Sequence, residues 1–247
     1  MNTKRRLWLV TVTSLLFLCF TSSIFATTTT LTLTSAGSSV LGTHVLDGVY
    51  VGPYTATING ASVPVICDDY VDDSYVPETW TANVSTFSNL SGAKWASTYP
   101  IDYIKHYKEA GWLIQQMFAP SNASQVGEIQ YAIWGVFAPS AISDLTSYNS
   151  TDGSIAQNWL TQAQNANLSS VNTADFTVYT PLSSPPPTCG GSPCPSSPPQ
   201  EFITYSTPEP SSLLILGADF LIFGFALAIL RRRGTLLVRP QGAQVRS

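Results

Sequence analysis

The chain has 247 residues, of which 44% are hydrophobic and only 11% charged, with a formal net charge of −4. Eight of the 11 lysines and arginines lie near the two ends, so residues 27–207 hold three lysines against 13 acidic residues, a net charge of −10. A body of that charge repels phosphate backbones, which excludes nucleic acid as a partner. The chain also lacks a glycine-rich phosphate loop and a histidine-rich metal pattern, so neither cofactor nor metal is expected.

The first 26 residues have the three parts of a secretory signal peptide. Lys4, Arg5 and Arg6 precede an apolar run over residues 7–20, and the small residue Ala26 closes the segment. We therefore expect cleavage after residue 26 and export of the rest. A lipoprotein signal built on Cys19 is the weaker alternative, because a bulky leucine precedes that cysteine.

From residue 27 onward the chain is patterned for strands. Threonine and leucine alternate in "TTTTLTLTSA", which predicts a half-buried edge strand. Two β-rich runs over residues 53–67 flank Asn59 and Gly60, a pair that favours a two-residue type I′ hairpin turn. Pro64 in the second run predicts an unpaired edge or a bulge. Further extended structure is expected over residues 78–88.

Helical periodicity begins near residue 100. It predicts helices over residues 100–118, 121–137 and 152–166, the last with Asp152 as a possible cap, before residues 172–182 return to strand. The predicted fold class is therefore α+β: a β-rich domain over residues 27–182 with a helical insertion of two or three helices.

A glutamine interrupts the apolar face of the second predicted helix. Val126, Ile129 and Ile133 recur at helical spacing after a cap at Ser121 or Asn122, and Gln130 falls among them. Burying an amide without partners costs about 2–7 kcal/mol, depending on the reference state. Gln130 is therefore either fully hydrogen-bonded or chemically employed.

Residues 183–206 are rich in proline and serine, which predicts an extended, semi-rigid stalk after the domain. Cys189 and Cys194 within it are most simply a small disulfide loop in an exported protein. Once Cys19 leaves with the signal peptide, Cys67 has no partner. It is either a buried small hydrophobe or a reactive thiol.

Four aspartates follow Cys67 closely: Asp68, Asp69, Asp72 and Asp73. Clustered carboxylates can bind calcium, but the run lacks the alternate spacing and the glycine of an EF-hand loop. A solvated acidic loop is the expected structure.

The pairing of Cys67 with the later segment "QYAIW" resembles the thioester domains of bacterial surface adhesins, over about residues 45–140. The resemblance implies an internal thioester between the Cys67 sulfur and the side-chain carbon of Gln130. It also implies that Ala132, Ile133 and Trp134 pack around that bond. An amine on a partner would then open the thioester and leave an amide crosslink.

The C-terminal region has an apolar span over residues 213–230, followed by Arg231, Arg232 and Arg233. Eighteen residues is the short end of the range for a transmembrane helix, and the arginines favour a cytoplasmic end. Asp219 inside the span costs about 2.5–3.5 kcal/mol at a helix centre. We expect this segment to anchor the chain in the inner membrane.

Residues 207–233 resemble the PEP-CTERM sorting signal of Gram-negative bacteria. The likeness rests on Pro208, Glu209 and Pro210, the apolar span and the three arginines, in that order. It implies recognition by an exosortase-type processing enzyme and delivery to the cell surface or beyond. Asp219 and the cytoplasmic tail over residues 234–247 depart from the usual pattern.

Taken together, these features predict an exported surface or extracellular-matrix protein that is not an enzyme and attaches to amine groups through its thioester. The alternative is a non-covalent structural or carbohydrate-binding matrix protein in which Cys67 is merely buried. A hydrolase has the least support, because no nucleophile elbow is present and paired carboxylates occur only as adjacent residues.

Overall fold

A computed structural model describes residues 27–195 and 198–206, and it confirms the α+β class. Six antiparallel strands close into a barrel in the order β1-β4-β5-β10-β7-β6, with β6 pairing back to β1. These strands are β1 (Thr27–Ser35), β4 (Tyr54–Ile58), β5 (Ala61–Cys67), β6 (Glu78–Thr86), β7 (Phe176–Pro181) and β10 (Phe202–Tyr205). Two short hairpins accompany it: β2 (His44–Leu46) with β3 (Val49–Val51), and β8 (Thr188–Cys189) with β9 (Ser192–Pro193).

Closure of the barrel corrects the prediction for the first strand. β1 was expected at an edge, but it pairs with β4 on one side and with β6 on the other. The alternation of threonine and leucine has the predicted consequence, because Leu31 and Leu33 point into the core while Thr30, Thr32 and Thr34 face outward. β1 therefore has a neighbouring strand on both sides over Leu31–Leu33 and lies inside the barrel wall there.

The predicted end of the domain at residue 182 is wrong. Part of the segment expected to be a stalk, Phe202–Tyr205, is strand β10, which lies between β5 and β7. Phe202 and Ile203 are fully buried there. A four-residue strand after a proline-rich run gives only a weak sequence signal, whereas the barrel needs this strand to bridge β5 and β7.

The predicted hairpin over residues 53–67 is confirmed. Asn59 and Gly60 join β4 to β5, and both have positive φ, 52° and 80°, as a type I′ turn requires. Pro64 pairs with Thr55 of β4, while β10 reaches only Ile66 and Cys67 on the other side of β5. The proline therefore lies where β5 has one unpaired edge, as predicted.

Within the described residues, four α-helices follow β6, one more than the highest number predicted: α1 (Tyr103–Met117), α2 (Val126–Phe137), α3 (Ser140–Tyr148) and α4 (Ser150–Asn165). The missed helix, α3, has nine residues and follows α2 after a two-residue connection. The residues predicted to cap the helices, Ser121 or Asn122 and Asp152, are not the observed caps. A 3₁₀ turn over Pro120–Gln125 precedes α2, and Asn149 caps α4 by accepting from two backbone N–H groups.

Helix α2 is the centre of the helical layer. Every residue of α2 except Glu128 is buried, because α1, α3, α4 and the β2–β3 hairpin all contact it. The prediction of a single apolar face therefore understated its burial. Gly127 allows the hairpin to approach, since a Cβ there would lie 3.0 Å from the Leu46 side chain.

Among the described residues, no helix is both long enough and apolar enough to cross a membrane. The signal peptide over residues 1–26, the span over residues 213–230 and the tail over residues 234–247 lie outside the described residues.

Candidate functional site

The structure brings Cys67 and Gln130 together, although 63 positions separate them. Cys67 ends β5, Gln130 lies in the first half of α2, and neither has any exposed surface. The side-chain amide nitrogen of Gln130 donates a hydrogen bond of 2.6 Å to the backbone carbonyl of Cys67. The helix thus places the carboxamide directly at the residue that carries the thiol.

The amide of Gln130 is only half satisfied. Its side-chain oxygen is buried and has no hydrogen-bond partner. An unpaired buried polar atom lowers the free energy of unfolding by about 1–3 kcal/mol, so a glutamine with a purely structural role would destabilise the fold at this position.

The thiol of Cys67 is held by the chain that follows it. It donates to the backbone carbonyl of Asp69 over 3.2 Å, and the Asp69 N–H approaches the sulfur at 3.4 Å. Burial raises the pKa of the thiol well above its usual value, and the negative charge of Asp69 adds to that rise. The indole N–H of Trp134 faces the sulfur and opposes the rise in pKa, although it makes no hydrogen bond of regular geometry.

Of the three residues predicted to surround the bond, Trp134 fits best. It follows Gln130 by one helical turn and therefore shares its face, and Ile133 lies beside that face. Ala132 is buried but lies on the opposite side of α2. Its place around the bond therefore stays a prediction.

Next to the thiol lies a buried acid pair, Asp68 and Glu201, both fully inaccessible to solvent. Burial raises the pKa of Asp68 well above its ordinary value, and the neighbouring Glu201 raises it further. Neither carboxyl oxygen of Asp68 has a hydrogen-bond partner, and the raised pKa favours the protonated form of this carboxyl beside Glu201. Two adjacent buried carboxylates cannot both be ionised at moderate cost.

Glu201 accepts from three further donors. The hydroxyls of Tyr107 and Thr180 donate to its two carboxylate oxygens, and the backbone N–H of Lys94 donates over 2.8 Å. Burial raises the pKa of Glu201, and these donors reduce the rise because they stabilise the charged carboxylate. The sequence analysis missed Glu201 because it was assigned to a stalk. A lone glutamate between a proline run and "FITY" was the only available signal.

The prediction of a solvated acidic loop after Cys67 is wrong for its first two aspartates, whereas Asp72 is partly exposed and Asp73 is exposed. Asp68 and Asp69 are completely buried. Lys94 forms ion pairs with Asp69 and with Asp72, the latter at 2.5 Å, and one quarter of the Lys94 side chain stays exposed. Gln200 donates to the backbone carbonyl of Asp69 over 2.7 Å. The run is therefore a structural junction between β5, β10 and the loop that carries Lys94.

An open cleft of about 780 Å³ lies beside the thiol. Three of its wall residues, Tyr54, Tyr70 and Trp134, also surround the buried pair: Trp134 faces the sulfur, and its ring centroid lies 5.3 Å from that of Tyr70. Burial raises the pKa of the Tyr54 phenol, and the nearby Cys67 adds to the rise. Cys67 and Gln130 themselves do not line the cleft.

Cys189 and Cys194 are joined in a disulfide that closes the β8–β9 hairpin. Glu78 lies close to both sulfurs, in the one grouping within the described ranges that has metal-ligand composition. Because the two sulfurs are bonded to each other, they offer no thiolates to a metal.

The residues of the predicted sorting motif, Pro208, Glu209, Pro210, Arg231, Arg232 and Arg233, lie outside the described residues. Comparison of the chain with protein-family models, with curated proteins and with solved structures finds no significant match. Function therefore has to be argued from the Cys67–Gln130 pair and its surroundings.

Proposed function

We propose that the domain attaches covalently to amine groups through an internal thioester between Cys67 and Gln130. The observation that carries this proposal is the burial of the Gln130 carboxamide against the backbone of Cys67, with the amide nitrogen on the Cys67 carbonyl and the amide oxygen unpaired. Thioester formation would remove the amide nitrogen and leave the unpaired oxygen as a thioester carbonyl, which is a weaker hydrogen-bond acceptor than an amide carbonyl and therefore costs less to bury.

The reaction is a simple acyl transfer. The Cys67 sulfur attacks the side-chain carbon of Gln130, the carbon–nitrogen bond breaks, and the thiol proton leaves with the nitrogen as ammonia. Fixed proximity is worth about 7–11 kcal/mol in favourable cases, which compensates for a poor leaving group. The buried, aromatic surroundings exclude water and protect the product from hydrolysis.

Attachment to a partner is a second acyl transfer, in which the Cys67 sulfur is the leaving group. A neutral primary amine attacks the acyl carbon, the carbon–sulfur bond breaks, and the amine proton passes to the released Cys67 sulfur. The products are an amide crosslink at position 130 and a free thiol. The crosslink forms once per molecule, so the protein acts as a single-use anchor and not as an enzyme.

The wider role follows from the targeting segments. Export through residues 1–26, retention in the inner membrane through residues 213–230 and processing by an exosortase-type enzyme would deliver the domain to the cell surface or the extracellular matrix. Its ligand there would bear an amine. The cysteine-paired β8–β9 hairpin fits an oxidising compartment, which supports export.

Intact mass of the secreted protein tests the proposal. The thioester form is lighter than the processed sequence by one ammonia, and treatment with methylamine adds one methylamine while exposing one thiol to an alkylating reagent in denaturant. Cys67→Ala must abolish both the deficit and the labelling. Gln157→Ala, at an exposed glutamine of α4, is the matched control and must retain both.

A secreted protein of full mass that never incorporates methylamine would refute the thioester. It would favour a non-covalent matrix or carbohydrate-binding role instead. A deficit that persists in Cys67→Ala would also refute it, since another residue would then be the source.

A further inference from the structure

The cleft beside the pair has a composition that the thioester alone does not require. Five aromatic side chains line it: Tyr50, Tyr54, Tyr70, Tyr75 and Trp134. Tyr50 is 52% exposed and Tyr75 is 36% exposed, which is high for large rings on a folded domain. Exposed rings gathered around one cleft mark a binding surface.

Between the rings the wall is polar. Ser35, Thr43, Ser74 and Gln200 contribute hydroxyl and amide groups. Apolar ring faces interleaved with hydrogen-bonding groups suit a ligand that alternates apolar C–H faces with hydroxyls, which describes a saccharide. A cleft of about 780 Å³ is in the range that buries a ligand of several rings, far more than one alkylamine occupies.

The cleft is also acidic. Asp72 and Asp73 line it, and the exported body carries a net charge of −10. Lys94 already binds Asp72, so its charge offsets only part of this field. Carboxylates beside tyrosine rings attract a cationic ligand, and a neutral or acidic saccharide would gain nothing from them.

We propose that the cleft binds an amino sugar of a partly deacetylated hexosamine polymer and presents its amine to the Cys67–Gln130 bond. The proposal rests on the proposed function for its covalent step. The step is the acyl transfer described above, with the sugar amine as nucleophile: its nitrogen bonds to the acyl carbon, and its proton goes to the Cys67 sulfur.

Amine chemistry favours this ligand over a lysine side chain. A lysine with a pKa of about 10.4 is neutral in roughly one molecule in 2,500 at pH 7. The hydroxyls and ring oxygen of a hexosamine withdraw electrons from its amine and lower its pKa, so a far larger fraction is nucleophilic at that pH. The hexosamine amine is a weaker base and therefore a weaker nucleophile than a neutral lysine amine. Binding in the cleft compensates for this by holding the amine in a fixed position near the acyl carbon.

The experiment compares a glucosamine oligomer, its N-acetylated counterpart and a lysine-containing peptide, using the secreted protein at pH 7. Intact mass should show glucosamine adducts forming at least about tenfold faster than peptide adducts, given the difference in neutral amine. The acetylated oligomer should form none. Tyr50→Ala should slow the glucosamine reaction roughly three- to tenfold, the range of one aromatic contact, whereas Tyr148→Ala, at a tyrosine on α3 that is 64% exposed, should not.

Calorimetry on Cys67→Ala separates this inference from the thioester. That variant cannot react, yet it should bind the glucosamine oligomer and should bind it more weakly when Tyr50→Ala is added. If the wild type shows no ammonia deficit but this binding is present, the thioester fails and the saccharide site stands. Absence of binding by Cys67→Ala, equal binding with Tyr50→Ala, or faster reaction with the lysine peptide would each overturn the inference.

Discussion

Phe202 lies directly opposite Cys67 in the antiparallel pairing of β10 with β5. The last strand of the domain therefore supports the residue that carries the proposed acyl group. Immediately before Phe202, Glu201 accepts the backbone N–H of Asp68 at its carbonyl over 3.3 Å, which fixes the chain on the other side of the thiol. A segment 135 positions after Cys67 thus defines its geometry.

The Phe202 ring is the main apolar anchor of that strand. It is fully buried and packs against Tyr54 and Trp80 at centroid distances of 5.7 and 5.8 Å. Phe202→Ala should lower the free energy of unfolding by about 3–5 kcal/mol, the usual cost of removing a buried aromatic ring. Urea denaturation measures this. Tyr148→Ala, on exposed surface, should change it by less than about 0.5 kcal/mol; equal losses in both variants would mean that β10 is not anchored as described.

The Asp68–Glu201 pair predicts how stability depends on pH. The pKa of Asp68 is raised in the folded state, so the folded protein binds more protons than the unfolded chain above the ordinary aspartate pKa of about 3.9. Its contribution is therefore fully present below that pKa and is lost as pH rises towards the folded value. Asp68→Asn keeps a donor for Glu201 and cannot ionise, so its stability relative to wild type should increase as pH rises from about 4 to 8.

Urea titrations at a series of pH values give that comparison directly. Asp102→Asn removes an exposed carboxyl on the surface and controls for the change in net charge. A constant difference between Asp68→Asn and wild type across the range would show that Asp68 does not retain its proton.

The fold could be predicted from the sequence wherever local chemistry determines structure. Asn59 and Gly60 specify the β4–β5 turn through their positive φ, and the 3.6-residue period located α1, α2 and α4. Strand β10 could not be predicted in this way, because four residues after a proline run carry no periodicity. Its position is set by long-range pairing with β5 and β7.

The candidate site shows the same contrast between features that local sequence determines and features that depend on long-range contacts. Cys67 and Gln130 were identifiable because each is unusual for its surroundings, an unpaired thiol and an amide in an apolar stretch. Asp68 was misread because clustered charges are normally solvated, whereas here Glu201, Tyr107 and Lys94 enclose the run. Those partners are brought in by the fold from distant positions, and a local pattern cannot show them.

Lys94 should be essential for the buried charge of Asp69. Lys94→Met keeps an apolar stem but leaves the Asp69 carboxylate, fully buried, without its cationic partner. We expect a loss of about 1–3 kcal/mol in the free energy of unfolding, since the buried carboxylate would keep only backbone N–H donors, such as that of Val71, and would lose its opposite charge. Asp69→Asn in the same chain should recover part of the loss, because the amide needs no cation.

Lys108→Met is the matched control for that experiment. Lys108 lies on α1 and forms no ion pair with the described residues. If it costs as much as Lys94→Met, or if adding Asp69→Asn deepens the loss, the pair does not stabilise the junction between β5 and β10.

Trp134 should control how long the thioester survives. Its ring is 3% exposed and stands between the cleft and the Cys67 sulfur. Trp134→Phe keeps an aromatic side chain at this position but removes the indole N–H and reduces the size of the ring. Water from the cleft should therefore reach the acyl carbon more easily. A lost contact of about 0.5–1.5 kcal/mol corresponds to roughly two- to tenfold faster hydrolysis. Intact mass over time follows the gain of one water, while Trp112→Phe, on α1 against Trp159, should match the wild-type rate. Equal hydrolysis rates in the two variants would mean that water reaches the acyl carbon by a route that does not pass Trp134. The cleft would then not be connected to the reactive bond.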